Sequence, residues 1–343
     1  MTVPGMSGQF KVLDLSGYMF SGKAAVSDLL REFKGIHVPN YRVEFDLLRI
    51  SGGLIDLRHA LDDWSPIRTH SALNRFEKTI KKLAATPGFP QKFYSTGFGY
   101  ARLYPDIIEC LEQFLTESVT LEWETPWPYD DLEDSGLATF VRKLLGRVGH
   151  NKMRHYRLTF PDAFYPAAQG FVHRILTRDL NVAEYGILVT HNALEPFDPG
   201  KNLVLLGEKA QCIVVDRDPR DIYATAITTQ QGFNDNLEFY RRIAGAHDVD
   251  TFIKRYNLYR SMINDLSDRV LRVNFEDLVT NYQATVDNVC SFLELGRTDH
   301  QEPYKYFDPE RSRHNMELWK LKELEIFKGD FQRIFEHCIP KKA

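Results

Sequence analysis

The stretch LDLSGYMFSGKAAVSDLL, residues 13–30, decides how this chain is read. FKVLDL at 10–15 is a short apolar run that reads as a buried strand ending at Ser16-Gly17. Ala25, Leu29 and Phe33 then recur at helical spacing, which predicts a helix from Ala24 to Phe33. Between the two, Gly17 and Gly22-Lys23 fit the frame G-x-x-x-x-G-K. Strand, glycine loop and helix in this order build an anion site. Backbone N–H groups of the loop and of the helix start at Ala24-Ala25 converge on one place, and the helix dipole adds to the attraction. Gly17 and Gly22 allow close approach of the backbone, Lys23 supplies a point charge and Ser21 a hydroxyl donor. In a nucleotide triphosphatase the residue after the Lys is a Ser or Thr that ligates magnesium. Ala24 has no oxygen for that task, so no metal is expected at this loop.

The rest of the chain supplies a setting for the loop. YRVEFDLL (41–48), YGILVT (185–190), AQCIVVD (210–216) and DRVLRVNFEDL (268–278) read as further strands. Tyr282, Val286, Val289 and Leu293 fall on one face of a helix. Strands alternating with helices predict an α/β fold, a P-loop-type parallel sheet with helices on both faces. From Leu73 to Leu83 the pattern is helical and amphipathic, and residues 70–180 as a whole read as a helical insertion in a single domain spanning 1–343. ATPGFPQ (85–91) and ETPWPYDDLED (124–134) break that insertion, and residues 1–9 read as a loose tail.

With 343 residues, 43% of them apolar, the chain is long enough for one large α/β domain. A formal charge of -4 argues against a general nucleic-acid scaffold. Cys110, Cys212, Cys290 and Cys338 are far apart, which fits reduced thiols in the cytosol. No apolar run approaches the ~20 residues a bilayer span needs, so a cytoplasmic protein is expected, with peripheral membrane contact left open. The oligomeric state is not legible.

A second motif, CIVVDRDPRDIYATAI (212–227), repeats the logic of strand, turn and helix. Asp216 closes the apolar run, Pro219 suits a first helical turn, and Arg217 sits at the strand's carboxyl end, where open α/β sheets place ligands. Thr225 falls about two helical turns further on, so Arg217 and Thr225 are placed to grip one phosphate together.

This segment resembles the 3′-phosphate motif of the sulfotransferases that use 3′-phosphoadenosine-5′-phosphosulfate (PAPS), typically R-D-P-R-D followed by a Ser. The resemblance implies that Arg217 and Thr225 bind the donor's 3′-phosphate, with Thr225 keeping the hydroxyl of that Ser. VTHNALEP (189–196) resembles the family's T-H-x-P segment, which makes His191 the candidate base. YFDPERSRHNMELWK (306–320) resembles the late segment of bacterial members that closes over the donor. It makes Arg311, Arg313 and Lys320 phosphate candidates and places Trp319 on the adenine or the core. Some carbohydrate sulfotransferases use a carboxylate as base, so Glu44 is the second candidate, although Arg42, Glu44, Asp46 and Arg49 as a set also read as structural ion pairs. One residue departs from the pattern: the family's loop carries a basic residue before Ser-Gly, as in P-K-S-G-T-T, whereas Phe20 stands there and Lys23 follows the Gly.

The resemblance implies transfer of a sulfuryl group from PAPS to an acceptor hydroxyl, a small molecule or glycan, with carbohydrate or glycolipid favoured by the bacterial type. The loop and Lys23 would hold the 5′-phosphosulfate, and no metal is required. Two other readings stand beside it. One is a small-molecule kinase using ATP and magnesium, with Asp216 as its acidic strand residue; the other is a non-catalytic nucleotide-binding module.

Overall fold

The computed structural model describes residues 10–39, 44–86, 98–127, 129, 135–147, 153–178, 180–229, 237–264 and 267–338. The expected tail at 1–9, and parts of the breaks at 85–91 and 124–134, lie outside the described residues. Contacts divide the chain into two units, one of residues 3–48 with 179–343 and one of residues 49–178.

The first unit carries the parallel sheet. Its strands are β1 (Lys11–Gly17), β2 (Ile36–His37), β5 (Ile187–His191), β6 (Gln211–Asp216) and β7 (Val270–Asn274), in the spatial order β2-β5-β1-β6-β7. Every pairing among them is parallel. β1 is central, with Leu15 opposite His191 on one side and Ile213 on the other. Burial on both faces explains why the three inner strands β1, β5 and β6 are largely apolar runs in the sequence, whereas the edge strand β7 is only half-buried and carries Arg272.

On one face Leu13, Leu15, Val189, Ile213, Val215 and Val273 pack against α1 (Lys23–Leu30) and the helix Tyr282–Leu293. The other face meets the 3-10 helix Pro199–Leu205, and Arg260 of the helix Val249–Ser261 reaches Asp216 there. A separate cluster joins the helices Pro219–Thr228, Val249–Ser261 and Lys328–His337 around Tyr223, Phe252, Phe331 and Ile334.

Two local expectations are corrected. Residues 44–48 of the expected strand 41–48 form no strand, with 46–48 in a turn, and 41–43 lie outside the described residues. Phe45, Leu47 and Leu48 are all buried, while Glu44 is drawn to Lys23, so the apparent alternation reflects site charges rather than a pleat. The first helix stops at Leu30 rather than Phe33, because Glu32 and Phe33 bond three residues back to Leu29 and Leu30. Glu32 then turns inward and accepts hydrogen bonds from the Tyr306 and Phe307 amides, each 2.9 Å.

The second unit is built on the helices Pro66–Ala84, Ile107–Ser118 and Pro161–Thr177. Phe76, Phe114 and Phe171 meet edge to face or tilted at its centre, with ring centroids 5.0–5.8 Å apart. It also contains an antiparallel pair of strands, β3 (Leu121–Pro126) and β4 (Met153–Leu158). No described helix is long and apolar enough to cross a membrane.

Candidate functional site

The carboxyl end of β1 forces the chain into a tight loop. Gly22 has φ +89 and caps α1 through backbone geometry alone. A Cβ at Gly22 would stand 2.7 Å from the Phe275 ring, and one at Gly17 would stand 2.4 Å from Ser21 Oγ, so both glycines are required by close approach. Phe20 also takes a left-handed conformation, φ 64, rare for an aromatic residue. The Ser21 hydroxyl is buried and has no hydrogen-bond partner among the described residues. A buried orphan donor inside a glycine loop is the kind of group that a bound anion satisfies.

Lys23, the first residue of α1, places its ammonium 3.2 Å from Glu44 Oε1. The same oxygen accepts a hydrogen bond from Asn192 Nδ2 at 2.6 Å. Asn192 adopts φ 49 in the turn that leaves β5, and that turn is fastened to β1. The Asn192 amide bonds the Leu15 carbonyl at 2.9 Å. The Asp14 carboxylate accepts from the amides of Ala193 and Leu194 and from the Thr190 hydroxyl, at 2.8–3.1 Å. Ser16 donates to the Leu194 carbonyl at 2.6 Å. Burial pushes the Asp14 carboxyl up to about 6, against the pull of these hydrogen bonds and of Lys23. His191 precedes this turn. Burial, with Lys23 and Arg31 nearby, lowers its imidazole to about 4, so it is neutral near pH 7.

Arg217 follows β6 and is only 6% exposed. The next helix begins sharply: Asp218 accepts from the Arg220 amide at 2.8 Å and Pro219 fills the first turn. This start brings Thr225 back over Arg217, whose Nη1 lies 3.4 Å from Thr225 Oγ1. Nη1 also donates to the Phe20 carbonyl at 2.9 Å and Nη2 to the Asn315 carbonyl, while Nε has no partner among the described residues. The guanidinium sits over the Phe275 ring, 5.1 Å from its centroid. Burial lowers the Arg217 pKa, with Asp221, Glu276 and Asp218 opposing.

A cavity of about 390 Å³ opens where these elements meet. Gly22, Ala24 and Ala25 form one wall, Arg217 and Phe275 another, and Arg311 a third. Its size lies within the range of small-molecule sites. Gly17, Ser21, Lys23 and Thr225 do not line it: Gly17 and Ser21 belong to the loop that leads to Gly22, Lys23 opens α1, and Thr225 is joined to the cavity only through Arg217. His191 and Glu44 do not line the cavity; both lie beside Lys23. Arg313 and Lys320 are not brought to it: each pairs with an acid three residues away, Glu310 at 3.0 Å and Glu317 at 2.5 Å. Trp319 does not line it either, but stacks on Arg220 at 4.2 Å.

Sequence reading missed Phe275, Asn315 and Asn192. Phe275 looked like the core end of a strand, and Asn315 contributes only its carbonyl. Asn192 carried one usable signal, a polar residue beside the candidate base at a strand exit.

Asp216 is 3% exposed, and its two oxygens face Arg260 at 2.9 Å and Arg272 at 3.2 Å. This carboxylate is neutralised by two guanidiniums, which does not suit the magnesium role required of it by the kinase reading.

Residues 135–299 match the family model described as the sulfotransferase family. No curated protein matches the chain. Among solved structures it is similar to the sulfotransferase domain of the Synechococcus PCC 7002 olefin synthase, at 16% identity over 99% of each chain and TM-score 0.40. It is similar to the sulfotransferase domain from the curacin biosynthetic pathway, at 14% identity over 96% of this chain and 99% of that one, TM-score 0.37. A Mycobacterium avium sulfotransferase shares 12% identity over 95% of this chain and 75% of its own, TM-score 0.35. The chain resembles the sulfotransferase family.

Proposed function

We propose that this chain is a sulfotransferase that moves a sulfuryl group from PAPS to the hydroxyl of an acceptor. The observation that carries the reading is the pairing of Arg217 with Thr225, with Arg217 lining a cavity that Gly22 and the start of α1 also line. Arg217, Thr225 and Arg311 take the 3′-phosphate, while Ser21, the α1 amides and Lys23 take the 5′-phosphosulfate.

In the transfer, the acceptor oxygen forms a bond to sulfur as the bond from sulfur to the 5′-phosphate oxygen breaks. Lys23 stabilises the negative charge that develops on that leaving oxygen. The acceptor proton goes to a base beside Lys23. His191 is neutral and so able to accept it, and Glu44 is the second candidate, held by Lys23 and Asn192. Positioning and electrostatics do the remaining work, as in phosphoryl transfer. A carbohydrate or glycolipid is the acceptor class this reading favours.

The test is incubation with PAPS labelled in its sulfate and a panel of sugars, glycolipids and phenols. Metal-independent transfer of label to a hydroxyl is expected. Phosphate transfer from ATP with no transfer from PAPS would overturn the proposal.

A further inference from the structure

A second cavity, about 560 Å³, lies between the helix Lys328–His337 and the segment from Trp319 to Glu325. It shares no lining residue with the first. Its floor is apolar, formed by Trp319, Leu321, Phe331 and Phe335. Phe335 is 64% exposed and Leu321 43%, so adjacent apolar surface is left facing water.

The charges around this floor are not equivalent. Arg220 is committed: it forms a fork with Asp218, at 2.5 and 3.0 Å, and lies between the rings of Trp319 and Phe335, 4.2 and 5.2 Å from their centroids. It therefore braces the two aromatic rings into a fixed cleft rather than offering free charge. Lys320 is paired with Glu317. Lys322 and Lys328 also line the cavity and form no ion pair among the described residues, against a single lining carboxylate, Glu325. The result is a braced aromatic cleft with two uncommitted ammonium groups at its edge.

We propose that this cleft binds an anionic amphiphile, a molecule with an aromatic or alkyl body and one phosphate, sulfate or carboxylate head. The body covers the exposed parts of Trp319, Leu321 and Phe335, and the head meets Lys322 and Lys328. A hydrophilic anion would gain only screened surface attraction, and a neutral amphiphile would leave both ammonium groups unused.

Octyl phosphate is titrated into the full chain while tryptophan fluorescence is followed, with octyl glucoside as the neutral match. Trp319→Phe assigns the signal, and melting curves verify that each variant is folded. Saturable binding of octyl phosphate is expected, with the signal lost in Trp319→Phe. The double variant Lys322→Glu, Lys328→Glu should bind about tenfold more weakly or worse, the loss expected when charge-assisted contacts are reversed. Octyl glucoside should be weaker by a similar factor. No saturable binding, equal binding of the neutral compound, or unchanged affinity in the folded double variant would each overturn the proposal.

Discussion

Arg217 and Thr225 are eight residues apart, and the guanidinium Nη1 lies 3.4 Å from the hydroxyl Oγ1. The pair exists because Asp218 and Pro219 start a helix at once, so two turns return Thr225 to the strand end. If the pair holds the 3′-phosphate, Arg217→Ala should weaken binding of 3′,5′-ADP, the desulfated donor, by about 10–100-fold, the range for a lost charged hydrogen bond. Thr225→Val should cost less than about tenfold and Thr225→Ser almost nothing. Calorimetric titration reads all three; equal losses for Val and Ser would contradict the role of the hydroxyl.

The Lys23 ammonium lies 3.2 Å from Glu44 Oε1. Its proposed work falls on charge that develops during transfer, so Lys23→Ala should lower turnover by about 100–1,000-fold. The affinity for 3′,5′-ADP should change far less, because ground-state binding is shared among several donors. Steady-state kinetics with the labelled donor separates the two, and near-normal turnover would remove Lys23 from the mechanism.

His191 titrates near 4 in the fold against an ordinary 6.5. Between those values the unfolded chain holds a proton that the fold does not, so this group's contribution to stability is complete above 6.5. It is lost as pH falls towards 4. Asp14 and Asp221, both raised to about 6, oppose it by taking up protons in the fold as pH falls. The difference between wild type and His191→Gln isolates the imidazole: the urea midpoint of the wild type minus that of the variant should fall as pH drops from 7 to 5. As a base, His191 should stay deprotonated down to about pH 4, so the acid limb of the rate should lie there rather than near 6.5.

Gly22 combines φ +89 with a Cβ position 2.7 Å from the Phe275 ring. Gly22→Ala should therefore lose about 1–3 kcal/mol of stability through backbone strain, apart from any shift of the ring. Denaturant unfolding measures it, and an unchanged midpoint would mean that the loop is not held as described.

Four of the five sheet strands were legible: β1, β5 and β6 because burial on both faces writes them as apolar runs, and edge strand β7 because Val270, Leu271 and Val273 flank Arg272. β2 was not, since two residues, Ile36 and His37, carry no period. The glycine loop and the Arg217–Thr225 spacing were legible because local geometry sets both. The 306–320 segment was only partly so. Its composition marks it as basic, but short helical turns decide which cations face the cavity, and i,i+3 acids take Arg313 and Lys320. The Glu44–Asn192 contact joins residues 148 apart, and no sequence spacing announces it.

The most direct test of the donor site is thermal unfolding of the full chain without metal, with 3′,5′-ADP, PAPS or ATP present. The account predicts that 3′,5′-ADP and PAPS each raise the melting temperature, by about 2.7 kcal/mol of stabilisation at 100 times Kd. Arg217→Ala should lose most of that shift, and ATP, with or without magnesium, should give little. A shift with magnesium–ATP and none with 3′,5′-ADP would contradict it.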